Sequence, residues 1–173
     1  MDLGRHYLEI ALETFQKQKM LAEKALTQLS PEEYLILIDP EANSIAIIMN
    51  HMAGNMRSRW TDFLTTDGEK PDRNRDEEFT ASSLEDIMRS WDENWQLVFA
   101  TLESLQPDDL LKTITIRQQP HTVLKAIERQ IDHYGYHVGQ IVFLAKHLKS
   151  QEWKTLSIAR GASQGFNQSM ASK

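Results

Sequence analysis

The stretch TVLKAIERQIDHYGYHVGQIVFLAKHL, Thr122 to Leu148, reads as one long helix. Its apolar residues recur at three- and four-residue intervals, as on one face of an amphipathic helix. His133 and His137 lie one turn apart, about 40° from each other on that wheel. The same stripe collects Ala126, Arg129, Gln130, Gln140 and Leu144. Apolar residues at both of its ends mark the stripe as inward-facing, while its middle is polar. Such a patch needs partners, because an unsatisfied buried polar group costs about 1–3 kcal/mol. A metal ion is one such partner. Histidines hydrogen-bonded inside an ordinary core are the plainer reading.

Three further helical stretches precede this one. Leu3 to Thr27 carries Leu8, Ala11, Leu12, Phe15, Lys19, Ala22 and Leu26 at helical spacing. Ser30-Pro31-Glu32-Glu33 has the form of a capping box and launches a short turn that Asp39-Pro40 stops. A second helix starts at Asn43 or Ser44 and is expected to reach about Thr65. A third starts at Ser82 or Ser83, with Asp86 completing the cap. It runs to about Ser104, with Leu84, Ile87, Met88, Trp91, Trp95, Val98 and Leu102 inward. Lys112 to Arg117 alternates as an extended piece, but one strand makes no sheet. Trp153, Leu156 and Ile158 read as an extended segment laid across the helices. The expected fold is all-α, an up-down four-helix bundle forming a single domain over residues 1–160, with residues 161–173 as a flexible tail.

Between the second and third helices, Thr66 to Ala81 forms a long loop without periodicity. It reads either as a solvated surface loop or as one held by arginine–carboxylate pairs near a pocket mouth, since long loops in compact domains are often functional.

The chain has 173 residues, with 25 acidic against 19 basic side chains and a net charge of -6. That balance excludes a phosphate backbone as the expected partner, which leaves no nucleic acid. No apolar run approaches the roughly 20 residues that span a bilayer, so no membrane partner is expected. The N-terminal residues lack the apolar core of a signal peptide, and a cytoplasmic location is expected. There is no cysteine. Disulfides and a thiolate nucleophile of the protein's own are therefore excluded, and any thiol chemistry needs a thiol brought by a substrate.

Of the six histidines, His6 and His121 fall near helix starts. His147 lies about 15 Å along the axis from His137, too far for a shared ion. His51 instead falls on the inward stripe of the second helix with Ser44, Ile47, Asn55, Ser58 and Asp62. His51, His133 and His137 are thus the candidate metal ligands. Neutral imidazole suits zinc, nickel and similar ions, and three protein ligands leave positions open, as in catalytic sites. Tyr134 stands where an HExxH helix carries its glutamate base, so the metalloprotease pattern is absent. Gly135 and Gly139 mark a close approach to the helix backbone. Asn55, Arg129, Gln130 and Gln140 are candidate substrate-binding residues. Arg129 or an arginine of the Arg57–Arg75 region could fork onto a carboxylate. Trp60, Trp91, Trp95 and Trp153 belong either to the core or to an interface.

Three segments together resemble a known family: NSIAIIMNHMAGNMRSRWTDFLTTDGEKPDRNRDEEF (Asn43–Phe79), IDHYGYHVGQIVFLAKHL (Ile131–Leu148) and WKTLSIARGASQGFN (Trp153–Asn167). The chain is similar to the DinB-like superfamily, within it the DUF1572 branch related to the YfiT-type proteins. That resemblance implies a four-helix bundle holding one divalent metal ion, nickel or zinc, on His51, His133 and His137. It implies a homodimer, and a thiol-dependent S-transferase that joins a low-molecular-weight thiol to a small electrophile. The alternatives are a metal-dependent hydrolase and a non-catalytic metal-binding or stress-response protein that acts as a dimer.

Overall fold

A computed structural model of the protein describes residues 2–80 and 83–171. The chain is mostly helical. Four long helices, α1 (Leu3–Leu26), α2 (Ile45–Trp60), α3 (Leu84–Ser104) and α4 (Val123–Lys149), are followed by a short one, α5 (Ser163–Ala171). Helix α1 packs on α4 and α3, and α2 packs on α3 and α4, so the four share one core. No helix among the described residues is long and apolar enough to cross a membrane.

The helix starts follow from short polar caps. The side chains of Asp2, Ser44, Ser83 and Thr122 accept from the backbone N–H groups of Gly4, Ile47, Asp86 and Lys125. Ser82, the other candidate start of α3, and Ala81 lie outside the described residues. The Ser30–Glu33 capping box opens the 3-10 turn Pro31–Leu35.

At the centre, each long helix contributes one aromatic ring: Phe15, Trp60, Trp95 and Tyr134. Phe15 meets Trp60 edge-on at 5.6 Å between centroids, and Tyr134 lies 5.7 Å from both Phe15 and Trp95. The Trp60 indole N–H donates to the Tyr134 hydroxyl at 3.0 Å, which donates to Asn55 Oδ1 at 3.2 Å. This chain of buried bonds sets the register of α4 against α2. Trp60, Trp91 and Trp95 are core residues, and Trp153 is half-buried against the core, so an interface role for Trp60 is ruled out by its burial within the chain. Met88, expected inward, is exposed.

Four further expectations are corrected. Helix α2 ends at Trp60 rather than near Thr65: Asp62 turns left-handed (φ 49°) and Phe63 folds back to stack on Trp60 at 4.9 Å. The extended piece after α3 is not alone. It forms β1 (Thr113–Ile116), paired antiparallel with β2 (Gln119–Thr122), with Ile116 opposite Gln119. Ile158 is exposed rather than packed across the helices, while Trp153 and Leu156 do pack. The segment from residue 161, expected to fray, is helical over Ser163–Ala171 with every side chain exposed; its last two residues lie outside the described ones.

The two-residue hairpin turn, Arg117-Gln118, takes positive φ at both positions (55° and 62°), a conformation usually given to Asn-Gly. Asp67 compensates. Its carboxylate accepts from the backbone N–H groups of Arg117 at 2.8 Å, Gln118 at 2.7 Å and Glu69 at 2.7 Å. Burial pushes this carboxyl up, but the three backbone donors outweigh it and hold its pKa down at about 2. The ionised form is thus the one the fold binds. Asp67→Ala is expected to lower stability at pH 7 by about 1–2 kcal/mol. The gap between parent and variant should close as pH falls from about 4 to about 2, because the folded carboxylate gives up its advantage as it protonates. Urea melts of both proteins across that range check this.

Candidate metal centre

His51 comes from α2, and His133 and His137 from successive turns of α4. Their ring nitrogens offer one ligand atom each, all within 4.8 Å of one another. These three residues could hold a metal ion. The other three histidines are elsewhere: His6 and His147 are exposed, and His121 Nδ1 lies 2.9 Å from the Gln119 carbonyl within its own hairpin.

The hydrogen bonds behind the rings decide which nitrogens face inward. His51 Nδ1 lies 2.8 Å from Glu78 Oε2. A carboxylate only accepts, so the Nδ1 proton points at Glu78 and Nε2 keeps its lone pair. His137 Nδ1 likewise lies 2.8 Å from Gln140 Oε1, and the Gln140 amide N–H donates to the Tyr136 hydroxyl at 3.0 Å. His133 Nε2 and His137 Nε2 then approach to 3.1 Å. His137 Nε2 is the lone-pair end, so in the metal-free chain His133 Nε2–H donates to it; a divalent ion would replace that hydrogen bond by taking both nitrogens, with His133 as its other tautomer, and the donor set fits such an ion. Such carboxylate and amide partners are what fix tautomer and ring orientation at metal sites.

Glu78 is the least foreseeable member. It is 6% exposed and sits in the loop between α2 and α3, on the 3-10 turn Glu77–Phe79. Arg73 grips it with Nε to Oε1 at 2.6 Å and Nη2 to Oε2 at 2.9 Å. Burial pushes the Glu78 carboxyl up, while His51 and Arg73 outweigh it and hold it below the usual carboxylate range. Gly54 makes room: a Cβ there would lie 2.6 Å from Glu78 Oε1. The loop is therefore held by arginine–carboxylate pairs, as one of its two readings expected. Glu69 adds three more, accepting from Arg59 at 2.9 Å, Arg117 at 3.1 Å and Arg73 at 3.5 Å.

A cavity of about 460 Å³ opens beside the centre, walled in part by His51, His133, Asn55, Arg129 and Gln130. Three of the four candidate substrate residues thus share it. Gln140 does not and stands behind His137. Tyr134 is fully buried. Of the two α4 glycines, Gly135 is approached closely by the Gln18 amide, while Gly139 meets no neighbour.

The family described as a protein of unknown function, DUF1572, matches residues 2–162. The chain belongs to the DUF1572 family. No curated protein matches it. Its fold resembles the crystal structure of a conserved protein from Enterococcus faecalis, with a TM-score of 0.62 at 16% identity, covering 84% of this chain and 96% of that one.

Among these features of the DUF1572 chain, the protonation of the α4 histidines is directly measurable. Burial, then the neighbouring His137, His51 and arginines, push His133 down to about 3, and burial pushes His137 down as well. The unfolded chain would protonate both near pH 6.5, so in metal-free protein these rings favour the fold above that pH and lose that contribution as pH falls towards 3. Long-range proton–nitrogen spectra of metal-free protein should show His133 neutral at pH 5. A full titration of its ring between pH 7 and 5 would contradict this.

Proposed function

We propose that this chain is a divalent-metal protein whose ligands are His51, His133 and His137, set in a four-helix bundle of the DinB-like type. The observation that supports it most is the outward hydrogen bonding of His51 and His137. Their Nδ1 atoms are occupied by Glu78 and Gln140, which leaves Nε2 of each as the atom to offer an ion, and His137 Nε2 lies 3.1 Å from His133 Nε2. Nickel or zinc suits three imidazoles.

The reaction we infer joins a small thiol to an electrophilic carbon: the S–H and carbon–leaving-group bonds break, a carbon–sulfur bond forms, and the proton and the leaving group, chloride in the case of monochlorobimane, pass to solvent. A divalent ion on three protein ligands would leave positions open and acidify a coordinated thiol. The chain supplies no thiol. Its own residues supply the enclosure. Helices α2 and α4 place the cavity against His51 and His133, and the buried core behind excludes water from that side. Glu78 is doubly committed, to Arg73 and to His51, and so is not free as the base a hydrolase would need. A cytoplasmic homodimer fits this reading.

Two experiments test it. Glu78→Ala should weaken divalent-ion affinity by about 10–100-fold in a competition titration, since the partner that orients His51 is lost. Unchanged affinity would contradict the role given to Glu78. For the reaction, the nickel- or zinc-loaded chain is mixed with cysteine and monochlorobimane and conjugate fluorescence is followed. Conjugation well above the protein-free rate, abolished in His137→Ala, is expected. A rate equal to the protein-free one with a range of thiols would remove the transferase reading.

A further inference from the structure

The cavity beside the histidines is strongly basic, in a chain whose net charge is -6. Four of the chain's nine arginines line it: Arg59 from α2, Arg75 from the long loop, Arg117 from the hairpin turn and Arg129 from α4. Asp132 is the one acidic residue on the same wall. Four separate segments thus bring guanidinium groups to one place, which a single helical stripe would not do.

Not all of that charge is neutralised within the protein. Glu69 serves both Arg59 and Arg117, one carboxylate for two of the four guanidinium groups. Arg75 and Arg129 make no ion pair or side-chain hydrogen bond among the described residues, so both forks are free to bind. A guanidinium presents paired donors that match a carboxylate.

A second, independent observation concerns Gln130. It is 2% exposed, borders the cavity, and its Oε1 has no hydrogen-bond partner. A buried acceptor left unpaired is costly, and each such group calls for an explanation. A ligand that donates a hydrogen bond would supply the partner.

We propose that this cavity binds a small organic acid whose carboxylate is held by Arg75 and Arg129, and which also carries a hydroxyl or ammonium group that donates to Gln130 Oε1. The inference deepens the proposed function, resting on it for the placement of the reacting end of the molecule beside His51 and His133. The acid-binding half stands on the arginines and Gln130 alone.

Lactate and propionate are the probes, since they differ by one hydroxyl donor. Each is titrated into the full chain while the arginine side-chain N–H signals are followed by NMR. Lactate should bind about 3–10-fold more tightly than propionate, the worth of one neutral hydrogen bond. Gln130→Leu, with Gln130→Met as a second variant, should erase that preference and leave propionate unchanged. Arg75→Gln and Arg129→Gln, both at exposed positions, should each weaken both acids by about ten-fold. The full chain stripped of divalent ions with a chelator, which is then dialysed away, should keep both affinities. Binding that survives the double arginine variant, or a lactate preference that survives both Gln130 variants, would overturn the proposal. So would binding lost when the divalent ions are stripped but kept in the arginine variants, which would mean that the acid sits on the metal; the metal reading would then stand without this one. Retained acid binding in a chain that takes up no metal would support this inference and refute the other.

Discussion

A buried carboxylate must be paired, because an uncompensated charge in the interior is strongly destabilising. Glu78 is that carboxylate. Its partners, Arg73 from the same loop and His51 from α2, tie a segment with no helical periodicity to the interior of the molecule. The tie also explains a glycine in the middle of α2. Any side chain at position 54 would occupy the space of the carboxylate. The same bond sets the His51 tautomer, so one electrostatic requirement shapes the loop, the helix surface and the ligand atom offered to a metal.

The other half of the centre depends on packing. Tyr134 follows His133 in α4 and is fixed by the Trp60 indole, by Asn55 and by the rings of Phe15 and Trp95. A helix locked at that residue cannot slide or rotate against α2 without breaking buried hydrogen bonds. His133 and His137 therefore hold their position relative to His51 through the aromatic core. Pre-positioned ligands lose little freedom on binding an ion.

The long helices and their caps were legible because periodicity and capping are local. The stripe with His133 and His137 and the inward place of His51 follow from spacing on helical wheels, and the Ser44 cap from its residue type, while one ion shared by the three histidines was what the family resemblance implied. Glu78 was not legible. It lies 27 residues beyond His51 in a stretch dense with other acids, and nothing local separates a buried carboxylate from its solvated neighbours Asp76 and Glu77. The hairpin was missed for a related reason: Arg117-Gln118 is not a turn sequence, and its left-handed backbone is held by Asp67, some fifty residues earlier. Helix α5 buries nothing, so its apolar residues gave no stripe to follow.

The centre joins these two constraints, an electrostatic one from the loop and a steric one from the core, at three imidazole nitrogens. The most direct test is elemental analysis of the full chain, purified without an affinity tag or chelator, beside His133→Ala. About one divalent ion per chain in the parent and none in the variant is the expected result. A parent chain that stays metal-free after both nickel and zinc are offered would contradict the metal centre and leave His51, His133 and His137 as histidines of an ordinary core.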